Sequence, residues 1–172
     1  MSSNNTTGDP FLVSLLTEIE LCLNHRHGSL HVKDPNKENG NPGTLLTSLM
    51  FQATGDQNGG ETLSVRQKAE FRQWIEYISI YGHLLQSSSS SHQVLKDLNN
   101  VLGGKSFLTS SSYPTIIDAV FYGILHKVMS TITYQEKEQY VNLSRWFNTV
   151  QHDSLVRRSR SVVTFSKSAL YT

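Results

Sequence analysis

The strongest constraint on this chain is an apolar run that carries its own start signal. Residues 116–129 include Ile116, Ile117, Val120, Phe121, Tyr122, Leu125 and Met129, and Thr115 and Asp118 stand at the head with capping-box spacing. In such a box the Thr115 hydroxyl accepts the amide of Asp118, and the carboxylate reaches back to the amide of Thr115. Donors that a helix start leaves orphaned are thereby matched. A helix apolar on nearly every side is buried on every side, so the run predicts a central core helix. It is too short and interrupted to span a bilayer, which needs about 20 apolar residues. Gly123 in its middle costs about 1 kcal/mol against Ala and implies that another element packs closely there. Thr115 and Asp118 are read as a structural cap rather than as catalytic groups, because a capping carboxylate is already occupied.

The other elements are read around this helix. Residues 1–8 are a polar tail, expected to be disordered and without the basic start of a signal peptide. Asp9 and Pro10 open a helix with Leu12, Leu15, Leu16, Ile19, Cys22 and Leu23 at helical spacing. Residues 30–32 suit a short strand, 34–43 a loop, 44–52 a second short helix, and the Gly-rich 53–62 a domain boundary. Ser64 and Gln67 form a second capping-box candidate before a long amphipathic helix over 64–85, striped by Phe71, Trp74, Ile75 and Ile78. Ser87 to Ser91 reads as a flexible connector. Val94, Leu95, Leu98 and Leu102 mark the next helix, stopped by Gly103 and Gly104. After the core helix, residues 133–140 form a polar helix or turn. Asn142 then caps a helix with Leu143, Trp146, Phe147 and Val150 on one face. Residues 154–159 suit a last helical turn, and the tail packs by Val162, Val163, Phe165 and Leu170.

Charge and motifs narrow the function classes. The net charge of +1 provides no global field for nucleic acid or an anionic membrane. The single cysteine, Cys22, excludes an internal disulfide and suits a reducing compartment. The sequons at Asn4, Asn5 and Asn142 are then expected to stay unmodified. Phosphate-binding glycine loops, a zinc-protease helix motif and paired cysteines are all missing. His25, His27 and His31 cluster, but without carboxylate or cysteine spacing to complete a metal site. Cys22 falls on the apolar stripe of the first helix and reads as a small core residue. Arg157, Arg158 and Arg160 form a basic run whose plain reading is a solvated face. Its alternative is an RNA or acidic-partner contact.

The stretch from Leu98 to Thr109, with Phe107-Leu108-Thr109 before the capped helix at Pro114-Thr115-Ile116-Ile117-Asp118, resembles the C-terminal helical domain of glutathione transferases. Residues 134–147 with their Gln-Glu-Lys-Glu and Ser-Arg-Trp-Phe blocks, residues 73–77 and the ending Leu170-Tyr171-Thr172 narrow the resemblance. They are similar to the transferase-like scaffold subunits of the multi-aminoacyl-tRNA synthetase complex. The resemblance implies a mostly α fold: a transferase C-terminal-like helical bundle over residues 63–172, behind a reduced or degenerate thioredoxin-like N-terminal piece over 9–62. It implies a non-catalytic docking subunit with no cofactor and no membrane. It binds transferase-like domains of methionyl- or glutamyl-prolyl-tRNA synthetase, at most with indirect tRNA contact. The implied location is cytoplasmic, with the nucleus as a second compartment. Arg145 is the residue carried over as partner-binding, with Asn142 and Ser144 beside it on the same helix.

Two alternatives remain open at this stage. A divergent glutathione transferase would need a thiol-activating residue after a first strand and a proline before a later one. Neither is found in residues 9–62, where Leu46 stands in place of the acid before Thr47 and Ser48. A transferase-like module binding tRNA would use Arg157, Arg158 and Arg160.

Overall fold

The computed structural model describes residues 10–27 and 64–165. The expected strand at 30–32, the loop at 34–43, the helix at 44–52 and the boundary at 53–62 lie outside the described residues, as do the tail at 1–8, His31 and Leu170. Among the described residues every regular element is helical, as the pattern of apolar spacing predicts. The helices are α1 (Pro10–His27), α2 (Val65–Tyr81), α3 (Ser88–Val101), α4 (Ile116–Thr131), α5 (Tyr134–Gln139), α6 (Val141–Gln151) and α7 (Ser154–Arg157), with 3₁₀ turns at Gly82–Gln86 and Leu102–Gly104.

The capped run is the central element. α4 buries Ile116, Ile117, Asp118, Val120, Phe121, Tyr122, Leu125 and Met129, and it is packed by α1, α2, α6 and α7. Each such large apolar side chain contributes about 1.5–3 kcal/mol on burial, so this helix anchors the domain. Phe11, Leu15, Ile19 and Cys22 of α1 join the same core as Trp74, Leu98, Trp146 and Phe147. Gly123 is where α1 comes closest: a methyl group there would collide with the Glu18 side chain. The close packing expected at that glycine is thus a helix crossing.

α2 starts on the expected capping box. Ser64 N–H donates to Gln67 Oε1 at 2.9 Å, and Gln67 N–H donates to Ser64 Oγ at 3.2 Å. It ends at Tyr81 and not at the expected residue 85, and Gly82, the next residue, lies against the Phe11 ring with no room for a Cβ. The chain then tightens into a 3₁₀ turn. The serine run is not a connector. Ser87 is extended and serves as N-cap position, and Ser91 N–H donates to Ser87 O at 3.0 Å in the first turn of α3. Serine is a weak helix former but a good starter, and burial of Val94, Leu95 and Leu98 behind the run decides the outcome.

Between α3 and α4 the segment at 105–115 is held from both sides. Trp74 Nε1 donates to Leu108 O at 2.8 Å, while Leu108 N–H donates to Asp118 Oδ1 at 3.0 Å. Glu70 accepts from both Ser110 N–H and Ser110 Oγ, each at 2.6 Å. α5 begins on a further capping box, Thr133 with Glu136. The final helical turn spans Ser154–Arg157 rather than 154–159. Past it, Gln151 grips Val163 in both directions, accepting from its N–H at 2.9 Å and donating to its carbonyl at 3.0 Å. Val163 and Phe165 pack as expected, but Val162 alternates outward and stays exposed.

Candidate partner interface

α6 presents the sequence-predicted partner residues. Its apolar face is buried through Leu143, Trp146, Phe147 and Val150, and Arg145 lies on the exposed side. Asn142 does not cap this helix. The helix starts one residue earlier, at Val141, after Tyr140, whose side chain makes no capping bond. The cap comes from another helix: Asn99 Oδ1 of α3 accepts the Asn142 N–H at 2.9 Å and the Leu143 N–H at 3.2 Å. Asn142 Nδ2 donates in return to Asn99 O at 3.3 Å. Ser144 is buried, and its hydroxyl donates to Lys137 O at 2.8 Å, tying α6 to α5.

Arg145 is held rather than loose. Its Nη2 donates to Leu102 O at 2.7 Å and to Lys105 O at 3.0 Å, carbonyls at the end of α3 and its 3₁₀ extension. A guanidinium at a helix C-terminus satisfies orphan acceptors and meets the negative end of the dipole. Its position is therefore fixed by the fold itself. Val101, one residue before the gripped Leu102 carbonyl, and Val141, one residue before Asn142, are both exposed. The junction of α3 and α6 that Arg145 and Asn142 tie together thus forms an edge with one oriented cation and an exposed valine at the joined end of each helix.

Beneath that edge lies Asp118, fully buried. The capping box forms. Asp118 Oδ2 accepts from Thr115 N–H and Thr115 Oγ1, each at 2.8 Å, and Oδ1 accepts from Leu108 N–H and from Trp146 Nε1 at 2.8 Å. Burial pushes the carboxyl above its ordinary value, while the bonds from Leu108, Thr115 and Trp146 pull it back. The cap read from the sequence is thus also the junction of α4, α6 and the 105–115 segment. With every lone pair direction used, it has no capacity left for chemistry.

The basic run departs from its expected solvated face. Arg158 Nη1 donates to Glu18 Oε1 at 3.2 Å, and Arg160 Nη2 donates to Glu18 Oε2 at 2.6 Å. Glu18 on α1 is a buried carboxylate that the sequence reading missed. Its nearest signal was Gly123, which makes room for it. Cys22 is in the core as expected. Arg158 Nη2 reaches its Sγ at 3.0 Å, and burial pushes the thiol up to about 11. Among the described residues no group of His, Cys, Asp and Glu could hold a metal, and no helix is long and apolar enough to cross a membrane. The side chains of His25 and His27 lie outside the described residues.

Comparison with known proteins matches the family described as nuclear-export cofactor Arc1p over residues 67–154, the span from α2 to the start of α7. Three relatives share the name eukaryotic translation elongation factor 1 epsilon-1. The Homo sapiens protein is 39% identical over 131 residues, covering 75% of this chain and 72% of that protein. The Cricetulus griseus protein is 38% identical and the Mus musculus protein 36%, each over 130 residues, with 74% of this chain and 72% of the relative covered.

Proposed function

This chain belongs to the family of eukaryotic translation elongation factor 1 epsilon-1, and we propose from that membership that it is a non-catalytic docking subunit of the translation machinery. Its partners are transferase-like domains of aminoacyl-tRNA synthetases, of the methionyl or glutamyl-prolyl type, in the cytoplasm and, secondarily, the nucleus. The observation that carries the reading is Arg145, exposed on α6 yet locked to the carbonyls of Leu102 and Lys105. A planar, weakly hydrated guanidinium that is already oriented loses little freedom on docking, which favours Arg at such an edge. Asn142 and Ser144 stand beside it on α6: both fix the first turns of the helix, and Asn142 keeps part of its side chain at the surface next to Arg145. The tRNA reading has less support: Arg158 and Arg160 are mostly covered and turned onto Glu18, so they offer a compact cluster and not an extended basic strip along which a nucleic-acid backbone could run. Any glutathione site would fall largely in residues 28–63, outside those described.

The test is co-purification with a transferase-like domain of either synthetase. Arg145→Glu is expected to weaken binding by about 30-fold or more, as expected for reversing a charge at a desolvated contact. Because the new carboxylate would face two carbonyls, its melting temperature is also expected to fall. Val141→Asp is the companion variant, with weakened binding and an unchanged melt. Wild-type binding by both variants would sink the reading, and so would glutathione conjugation that saturates with glutathione.

A further inference from the structure

The turn after α7 holds more positive charge than the fold consumes. Arg158 and Arg160 share one carboxylate, Glu18, and Arg157 beside them has no ion-pair partner among the described residues. Asp153, four residues ahead of Arg157, is turned to the Leu155 amide instead, at 2.9 Å. The Arg158 and Arg160 side chains are only 18% and 22% exposed, and their orientation is imposed. Arg158 sits at φ 55° and ψ −131°, a backbone region that L residues rarely adopt, and this bend directs Arg158 and Arg160 onto the same carboxylate.

Two polar groups in this cluster are buried without a hydrogen-bond partner: Arg158 Nε–H and the Tyr122 hydroxyl. Tyr122 is fully buried. The Arg160 guanidinium lies 5.9 Å from the centre of its ring. Burial raises the phenol's pKa, while the charges of Arg160 and Arg157 lower it, so both cations bear on one hydroxyl. Native interiors rarely leave such donors unmatched, and those that do commonly mark a site. Clustered guanidinium groups with a spare hydroxyl match an oxyanion with several acceptor oxygens.

We propose that Arg157, Arg158, Arg160 and Tyr122 form a site for a small phosphate-class oxyanion, with Glu18 as the internal brace that keeps two of the arginines forked. The site is built from α4, the end of α7 and the turn after it, shares no residue with the Arg145 edge, and does not depend on synthetase docking. Glu18 binds one side of the Arg158 fork and leaves Nε–H for the ligand. Among the described residues the Arg157 side chain makes no hydrogen bond or ion pair, so it supplies a full guanidinium.

The test is calorimetric titration of the full chain with inorganic phosphate, against chloride at matched ionic strength, followed in parallel by the Nε–Hε resonances of arginine. Saturable heat and a shift of the Arg158 Nε–H signal are expected with phosphate and not with chloride. Arg157→Gln is expected to melt like the parent, having lost no internal bond, and to weaken phosphate binding about tenfold or more. O-Phosphoserine binding at least as tightly as phosphate would identify a phosphomonoester as the natural source, and weaker binding the free ion. A response to phosphate no larger than to chloride would overturn the proposal. So would unchanged phosphate affinity in Arg157→Gln.

Discussion

Asp118 and Glu18 are both buried carboxylates packed along α4, yet they are held by opposite means. Asp118 accepts four hydrogen bonds from neutral donors: the amides of Leu108 and Thr115, the Thr115 hydroxyl and the Trp146 indole. Glu18 is held by two guanidinium groups 140 and 142 positions away in the sequence. The first is a hub of fixed dipoles whose donors would be orphaned without it. The second is a triad of charges whose mutual attraction must offset the desolvation of three ions. A buried carboxylate among neutral donors is hard to replace, whereas one among cations at a half-open rim is worth less and responds to salt.

The largest effect is expected at the neutral hub. Asp118→Ala leaves the Leu108 and Thr115 amides and the Trp146 indole unmatched, at about 1–3 kcal/mol for each buried donor. A loss of about 3–5 kcal/mol in urea denaturation is expected, enough to unfold a marginal domain. A loss of no more than about 1 kcal/mol would erase the contrast with Glu18. Next comes Gly123→Ala, whose methyl group meets Glu18. Alone it is expected to cost about 1–3 kcal/mol from overpacking. In a Glu18→Ala background most of that penalty should vanish, and a double-mutant cycle measures the coupling. Additive losses would mean that Glu18 is not what Gly123 accommodates.

The smallest effect on stability, and the finest probe of α1, is thiol labelling. With its pKa pushed up to about 11, Cys22 is a thiolate in only about one molecule in a thousand at pH 8. Native protein should therefore resist iodoacetamide. Glu18→Gln loosens α1 and is expected to speed labelling severalfold, with salt speeding the parent in the same direction. Equal rates for parent and variant would show that the arginine pair does not govern the docking of α1.

What could be read from the sequence follows from distance along the chain. The three capping boxes at Ser64, Thr115 and Thr133 each close over three residues, and the spacing of a polar starter and its partner is visible locally. The apolar stripe of α6 and the exposure of Arg145 follow from period alone. The Asn99 cap on α6 spans 43 residues, and the Glu18 pairs span most of the chain, so no local spacing announces them. Arg158 and Arg160 look like any solvated basic run until α1 is laid beside them. The serine run misled because composition suggests a linker, while burial on the far side of the helix settles the conformation.

The borrowed cap also has a consequence in time. α4 carries its own start signal and can nucleate as soon as its residues exist. α6 cannot close its first turn until the Asn99 amide of α3 is in place, a contact between segments that must first find each other. Loop closure of that length places α6 among the later-forming elements, with low φ-values expected there and high ones at the head of α4. The edge bearing Arg145 therefore comes into being only when α3 and α6 have met. A chain that is half folded has no such edge to offer, so a partner that selects it selects finished molecules.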